Sequence, residues 1–138
     1  MASRQIQDLR PEFQNLASEW LHVAYLEGLS LLVYCTLRTP AEQDELYKIG
    51  RTVAGAGATV WRRMGRTVTN AAAGQSAHNY GLALDFVPLN AGKPVWTEGP
   101  LYDRAIKIAE STGMESLRGN PKFSELAHLQ MPNWRGHI

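Results

Sequence analysis

The segment 82–87 constrains the fold of this chain most, because it places one carboxylate inside an apolar run. It reads Leu-Ala-Leu-Asp-Phe-Val, which is typical of a strand buried in a sheet. Burying the charge of Asp85 is costly unless a cation or firm hydrogen bonds compensate it. The sequence therefore predicts that a cation or several hydrogen-bond donors meet Asp85 in the core.

The composition is that of an ordinary globular domain. Of the 138 residues, 44% are hydrophobic and 20% are charged, and we expect a single domain over residues 1–138. The formal net charge of +1 creates no general attraction for nucleic acid or for an anionic membrane. The single cysteine, Cys35, excludes an internal disulfide, so any metal is expected to be held by nitrogen and oxygen. Cys35 itself is predicted to be an inert core thiol.

Hydrophobic periodicity and capping residues predict a mixed α+β chain. Thr39, Pro40 and Glu42 form a capping box with proline at the first helical position. The predicted elements are helices at 11–26, 40–47 and 101–111, strands at 31–36 and 82–87, and a short strand near 67–69 within a long loop over 51–75. The segment 88–99 is predicted to be loop or hairpin, and 119–121 to be irregular.

Two short segments carry the residue types of a metal site. The first places His78 seven residues before Asp85, and the second places Glu125 three residues before His128. Two imidazoles and one carboxylate suffice for a catalytic zinc that keeps one position open. The remaining carboxylate can then stay off the metal and move protons. Spacing alone also allows a hydrogen-bonded cluster without metal.

The segment 76–85 reads Ser-Ala-His-Asn-Tyr-Gly-Leu-Ala-Leu-Asp. It closely resembles the Ser-x-His-x-x-Gly-x-Ala-x-Asp signature of the LAS-type (VanY-like) zinc peptidases, which include D-alanyl-D-alanine carboxypeptidases and phage L-alanyl-D-glutamate endopeptidases. The flanking segments 68–71, 101–105 and 113–115 resemble the phage branch. The resemblance implies an α+β fold of the Hedgehog/D,D-peptidase type, with a small, mostly antiparallel sheet flanked by helices and a zinc cleft across the sheet.

By position, the resemblance implies that Zn2+ is held by His78, Asp85 and His128. Glu125 matches the catalytic carboxylate of the family, three residues before the last ligand. In the implied reaction Glu125 takes a proton from the attacking water and later protonates the leaving amine.

The segment 37–43 resembles the family's Tyr-Arg-Ser-x-x-x-Gln pattern. The resemblance implies that Arg38 polarises the scissile carbonyl or stabilises its oxyanion, and that Gln43 helps to hold the substrate. A planar guanidinium suits a developing oxyanion. The alternative for Arg38 is a structural ion pair with Glu42 or Glu45 on the next helix.

Ser76 and His78 also invite comparison with a serine hydrolase. We exclude that mechanism because no nucleophile elbow surrounds Ser76, and because the two residues are expected on one strand-like stretch without an oxyanion scaffold. Ser76 is predicted to contact substrate or to stabilise its loop. Tyr80 is predicted to line the substrate groove or to pack.

The function implied by the resemblance is hydrolysis of the peptidoglycan stem peptide, most specifically by a phage endolysin of the L-alanyl-D-glutamate endopeptidase type. The chain departs from that branch at 116–118, where Ser-Leu-Arg replaces a usual Trp-Gly-Gly, and at Glu125, where Asp is usual. The alternatives are a D-alanyl-D-alanine carboxypeptidase, a non-catalytic peptide-binding module, and a metal-stabilised structural piece of a virion.

The expected partner is the stem peptide, and the expected state is a monomer. No stretch approaches the ~20 apolar residues that span a bilayer, so we expect no membrane insertion. The N-terminal residues lack the apolar segment of a secretory signal. We therefore expect synthesis in the host cytoplasm and action in the periplasm or cell wall after release. The segment 61–66 sets an aromatic residue among cations, but the net charge favours a solvated loop or a contact with anionic wall polymer over nucleic acid.

Overall fold

The computed structural model describes residues 2–52, 54–55, 69, 71–118 and 125–138. This part of the chain contains three α-helices and one five-stranded sheet. In chain order the elements are α1 (Pro11–Leu26), β1 (Ser30–Cys35), α2 (Pro40–Lys48), β2 (Ala83–Asn90), β3 (Lys93–Pro94), α3 (Pro100–Thr112), β4 (Glu115–Leu117) and β5 (Glu125–Gln130). Short 3-10 helices occupy Ile6–Asp8, Ala77–Tyr80 and Trp134–His137.

The strands form a sheet in the order β1-β2-β5-β4, with β3 paired to β2, and every pairing is antiparallel. The predicted fold, a small antiparallel sheet with flanking helices, is confirmed. No helix in the described part of the chain has both the length and the apolar character needed to cross a membrane.

The helices α1 and α2 begin at the predicted residue and α3 begins one residue earlier, and each has proline in its first turn. The capping box of α2 is formed in both directions: the Thr39 amide donates to Glu42 Oε1 at 2.9 Å, and the Glu42 amide donates to Thr39 Oγ1 at 3.1 Å. Gly113 ends α3 in the left-handed conformation at φ +104, where its amide reaches back to the last turn.

The core lies between one face of the sheet and the helices α1 and α3. Trp20 of α1 donates a hydrogen bond from its indole nitrogen to the carbonyl oxygen of Ala105 at 2.9 Å. Its ring packs edge-on against the Phe86 ring, with the ring centroids 5.0 Å apart. Phe86 also contacts Tyr102 of α3 at 5.5 Å. Because side chains alternate along a strand, Asp85 points to the face of the sheet opposite Phe86.

The local structure decides one predicted element, corrects another and adds strands that the sequence does not indicate. β2 continues to Asn90 and forms a hairpin with β3, which decides between the predicted loop and hairpin. The strand-like stretch expected around Ser76 and His78 is wrong, because this segment is a 3-10 helix. The sequence predicts neither β4 nor β5. Apart from Thr69, the strand predicted near 67–69 lies outside the described residues, as do the segments 61–66 and 119–121.

Candidate metal centre

A cleft of about 850 Å³ is lined by residues of the strands β1, β2 and β5 and of the helices α2 and α3. His78, Asp85 and His128 are among the residues that line it. Asp85 on β2 pairs directly with His128 on β5, and the 3-10 helix Ala77–Tyr80 immediately precedes β2 and carries His78. The structure therefore brings together all three side chains that the sequence proposes as metal ligands.

One carboxylate oxygen lies at the centre of this group. Asp85 Oδ1 is 3.3 Å from His78 Nε2 and 3.4 Å from His128 Nδ1. The two imidazole rings are 5.0 Å apart between centroids and nearly perpendicular, with an interplanar angle of 78°. Both imidazoles are buried, with exposed fractions of 2% for His78 and 6% for His128. The cluster is thus largely removed from bulk water.

Hydrogen bonds on the far side of each ring assign its tautomer. His78 Nδ1 donates to the carbonyl oxygen of Thr36 at 2.8 Å, and His128 Nε2 donates to Gln130 Oε1 at 2.8 Å. Gln130 is oriented in turn because its amide nitrogen donates to Glu115 Oε1 at 2.9 Å. With these nitrogens protonated, a neutral ring turns a lone pair toward Asp85. Three Lewis bases that face one another need either a metal ion or a bound proton between them.

The same demand for positive charge governs the ionisation of the metal-free cluster. Burial by itself lowers the pKa of His78, but the attraction of Asp85 outweighs burial and raises that pKa to about 10. Burial by itself raises the pKa of Asp85, but the two imidazoles outweigh it and hold that pKa below its usual range. A carboxylate and at least one positive charge are therefore favoured at this position.

The geometry fits zinc in this role. Zinc takes nitrogen ligands at about 2.0–2.1 Å in tetrahedral sites, so neighbouring ligand atoms lie about 3.3 Å apart. The two distances from Asp85 Oδ1 to the imidazole nitrogens, 3.3 and 3.4 Å, match that spacing. Imidazoles that donate their other N–H to fixed acceptors are also typical of zinc ligands.

Cys35 lies closer to the site than the sequence predicts. Its Sγ is 3.8 Å from His78 Nδ1, and potential ligand atoms of Cys35, His78 and Asp85 all lie within 4.8 Å of one another. Cys35 is therefore a potential metal ligand that the sequence pattern does not indicate. However, Cys35 faces Nδ1, which donates to Thr36, whereas Asp85 faces Nε2. The ring orientation favours His128 over Cys35 as the third ligand.

Glu125 reaches the cluster through an irregularity in the sheet. Its Oε2 is 3.5 Å from His128 Nδ1, although residues three apart on a regular strand face opposite sides. The pairing of β4 with β5 shifts register, because Ser116 pairs with Leu129 whereas the next residue, Leu117, pairs with Glu125. The Glu125 side chain remains 51% exposed. It is placed beside the cluster with access to water.

Arg38 faces the same carboxylate from the other side. Its Nη2 lies 3.9 Å from Asp85 Oδ2 and donates to Cys35 Sγ at 3.4 Å. The alternative partners on α2 are otherwise engaged, since Glu42 caps its helix and Glu45 pairs with Lys48 at 3.1 Å. The Arg38 guanidinium therefore lines the cleft beside the cluster, as the catalytic role implied by the family resemblance requires.

Gln43 lies behind Arg38. Its Oε1 accepts from Arg38 Nη1 at 2.8 Å, and its Nε2 donates to the carbonyl of Ala71 at 2.6 Å and to Thr69 Oγ1 at 3.3 Å. The residue is fully buried. Its burial leaves no surface for the substrate contact that the sequence predicts. Gln43 instead orients the guanidinium.

Ser76 caps the 3-10 helix that carries His78. Its Oγ accepts from the His78 amide at 3.3 Å, and its own amide donates to Asn79 Oδ1 at 3.2 Å. Of its two predicted roles, these contacts support stabilisation of the loop, although Ser76 also lines the cleft.

Tyr80 packs at the end of the same helix. Its hydroxyl donates to the carbonyl of Gly74 at 2.7 Å, and its ring stacks on Trp134 at 5.7 Å. These contacts support packing as its role, with Trp134 rather than Tyr80 at the cleft surface.

Sequence reasoning missed Thr36 and Gln130 as partners of the imidazoles. Thr36 acts through its backbone carbonyl, which leaves no trace in the residue type. Gln130 could have been found, because it follows His128 by two residues and therefore shares its face on a strand.

A family model described as VanY, D-alanyl-D-alanine carboxypeptidase, matches residues 6–117. The chain belongs to this family. The assignment suggested by the residues at 76–85 is therefore confirmed, and with it the prediction that the chain is a metallopeptidase. The matched stretch includes His78 and Asp85, whereas Glu125 and His128 lie beyond it.

Individual relatives agree with the family assignment. The chain is 33% identical over 138 residues to the peptidoglycan L-alanyl-D-glutamate endopeptidase CwlK of Bacillus subtilis, covering 91% of this chain and 75% of CwlK. The L-Ala D-Glu endopeptidase ChiX of Serratia marcescens has a similar fold, with a TM-score of 0.68 at 18% identity over 99% of this chain and 92% of ChiX. A variant of the vancomycin resistance D,D-pentapeptidase VanY in complex with Zn(II) also gives a TM-score of 0.68 at 18% identity, over 89% of this chain and 72% of its own.

Proposed function

We propose that this chain is a zinc-dependent endopeptidase that hydrolyses the peptidoglycan stem peptide between L-alanine and D-glutamate. The observation that carries the proposal is the approach of two tautomer-fixed imidazoles to one oxygen of Asp85, at the spacing of tetrahedral zinc and beside Glu125. The similarity to CwlK supports the choice of bond.

In this proposal zinc is held by His78 Nε2, His128 Nδ1 and the carboxylate of Asp85. When bound, the metal acts as a Lewis acid toward the carbonyl and lowers the pKa of water. Thr36 and Gln130 keep the two imidazoles in the tautomers that can bind it. Nitrogen and carboxylate oxygen are suitable donors for zinc at a catalytic site with an open position.

Glu125 acts as the general base and then as the general acid. Its half-exposed carboxylate takes a proton from the water that attacks the carbonyl carbon of L-alanine. When the C–N bond breaks, Glu125 gives that proton to the nitrogen of D-glutamate, which leaves as an amine. Arg38 donates a hydrogen bond to the carbonyl oxygen as negative charge develops there. Gln43 and Cys35 hold the guanidinium in place for this contact.

A D-alanyl-D-alanine carboxypeptidase is the second candidate, because the matching family model carries that description. The chain also lacks the Trp-Gly-Gly of the endopeptidases at 116–118, where Leu117 lines the cleft and Arg118 pairs with Glu98 and Asp103. The two activities leave different products, since the first releases stem peptides from the glycan strand and the second releases D-alanine.

Mass spectrometry of muropeptides digested by the zinc-loaded chain is expected to show cleavage after L-alanine and no release of D-alanine. Free D-alanine with intact stem peptides would assign the carboxypeptidase activity instead. In parallel, the purified chain is expected to clear cells stripped of their outer membrane, as the lytic role of a phage endolysin requires. If it binds stem peptide without cutting or clearing, the chain is a binding module.

Gln130→Met is expected to weaken zinc binding by about 10–100-fold, which is typical for loss of a partner that orients a metal-binding imidazole. Methionine fills a similar volume but offers no acceptor for His128 Nε2–H. Competition with a chromogenic chelator measures the affinity. The matched control is Gln7→Met at an exposed position, which should bind zinc like the wild type. Unchanged affinity in Gln130→Met would contradict this role.

A further inference from the structure

Tyr34 enters the cleft because β1 contains one extra residue. The register of β1 against β2 shifts between Val33 and Cys35, which pair with the consecutive residues Phe86 and Asp85. Tyr34 is therefore left without a partner on β2, as in a β-bulge. Bulges of this kind redirect a side chain and occur often beside active sites. Here the result is a phenol that lines the cleft next to the strand position of Asp85.

The ring of Tyr34 is held from the outside by Trp96. The two rings meet edge to face, with centroids 5.5 Å apart and an interplanar angle of 66°. Trp96 is 61% exposed and also lines the cleft. Its segment is fixed to β2, because the Val95 amide donates to the carbonyl of Pro88 at 2.9 Å. Trp96 is thus a large, solvent-exposed apolar side chain whose contact restricts the Tyr34 ring.

The hydroxyl of Tyr34 has no hydrogen-bond partner among the described residues. The pKa of this hydroxyl is raised above its ordinary value, mainly because the residue is partly buried. The negative charge of Asp85 raises the pKa further, and that of Glu125 makes a smaller contribution. The phenol therefore stays protonated and is available in the cleft as a hydrogen-bond donor. A phenylalanine would fill the same space and keep the contact with Trp96.

We propose that the Tyr34 hydroxyl donates a hydrogen bond to the oxygen of the scissile carbonyl as negative charge develops there, as a second donor beside Arg38. Tyr34 and Arg38 lie four residues apart in the chain, and both line the same cleft. Two donors directed at one oxygen stabilise the oxyanion more than either alone, and they are fixed before the reaction starts. The inference rests on the proposed peptidase activity, but not on which bond is cut.

Tyr34→Phe is expected to lower kcat by about 100-fold, as removal of one oxyanion donor does, with KM changed less than twofold. A phosphinate analogue of the scissile peptide should lose affinity by the same factor as kcat/KM, because it resembles the tetrahedral state. Zinc content and the melting temperature should stay at the wild-type values. Tyr25→Phe removes the same hydroxyl from an exposed position on α1 and should change none of these quantities.

Trp96→Ala tests whether the contact with Trp96 holds the Tyr34 ring in position. It keeps the hydroxyl but frees the ring, so kcat should fall by about 10-fold, less than in Tyr34→Phe. If Tyr34→Phe keeps kcat and phosphinate affinity within twofold of the wild type, the proposal is wrong. A wild-type chain that releases D-alanine instead would refute the proposed bond specificity and leave this test intact, because the same oxyanion forms at either bond. A wild-type chain that cuts neither bond would overturn both proposals.

Discussion

Glu125→Gln is expected to lower kcat by about 10²–10⁴-fold, the usual contribution of a general acid–base group, while the zinc content stays at the wild-type level. The amide keeps the size of the side chain but cannot take a proton from water at neutral pH. Because the Glu125 side chain is 51% exposed, the substitution should lower the free energy of unfolding only slightly. Steady-state hydrolysis of a defined stem peptide, with elemental analysis of the same sample, measures both quantities.

Two further variants serve as controls for the loss of activity in Glu125→Gln. Glu110→Gln removes an exposed carboxylate on α3 that does not line the cleft, and should leave kcat unchanged. Glu125→Asp restores the residue usual in the phage endopeptidases with a shorter arm, and it should retain most of the activity that Glu125→Gln loses. A Glu125→Gln enzyme that binds zinc normally and hydrolyses peptide at the wild-type rate would remove Glu125 from the mechanism.

The elements that position the site were predictable where a local rule determines them. The capping box at Thr39 fixes the start of α2, and the apolar run around Asp85 defines β2 as a buried strand. The pattern of residues at 76–85 indicates the family without any geometry, and the three side chains that it implies as ligands do converge.

Features that depend on strand pairing could not be predicted. The position of Tyr34 in the cleft follows from a register shift between β1 and β2, and that of Glu125 follows from a shift between β4 and β5. A single sequence carries no record of which residue a strand leaves unpaired. Burial is also a tertiary property, which is why Gln43 was predicted at the substrate and is found behind Arg38.

Chelation of zinc is expected to lower the free energy of unfolding by about 4 kcal/mol when the free metal had been at 1,000 times its Kd. Asp85→Asn keeps the shape of the side chain but removes its charge, so the variant should bind zinc poorly, lack activity and unfold at the same temperature with and without chelator. Asp103→Asn, at an exposed ion pair with Arg118, should respond to chelator like the wild type. Thermal unfolding with elemental analysis measures these effects.

The pH dependence of this stabilisation separates a zinc centre from a hydrogen-bonded cluster without metal. In the metal-free cluster the pKa of His78 is raised from 6.5 to about 10, so its contribution to stability is fully present below pH 6.5 and is lost as the pH rises through 10. Zinc replaces that proton, and its binding is therefore weakened by acid. The difference in melting temperature between zinc-loaded and chelated chains should grow from about pH 5 to about pH 8. A chain that ignores chelator throughout this range, and loses stability only as His78 gives up its proton, would contain no metal centre.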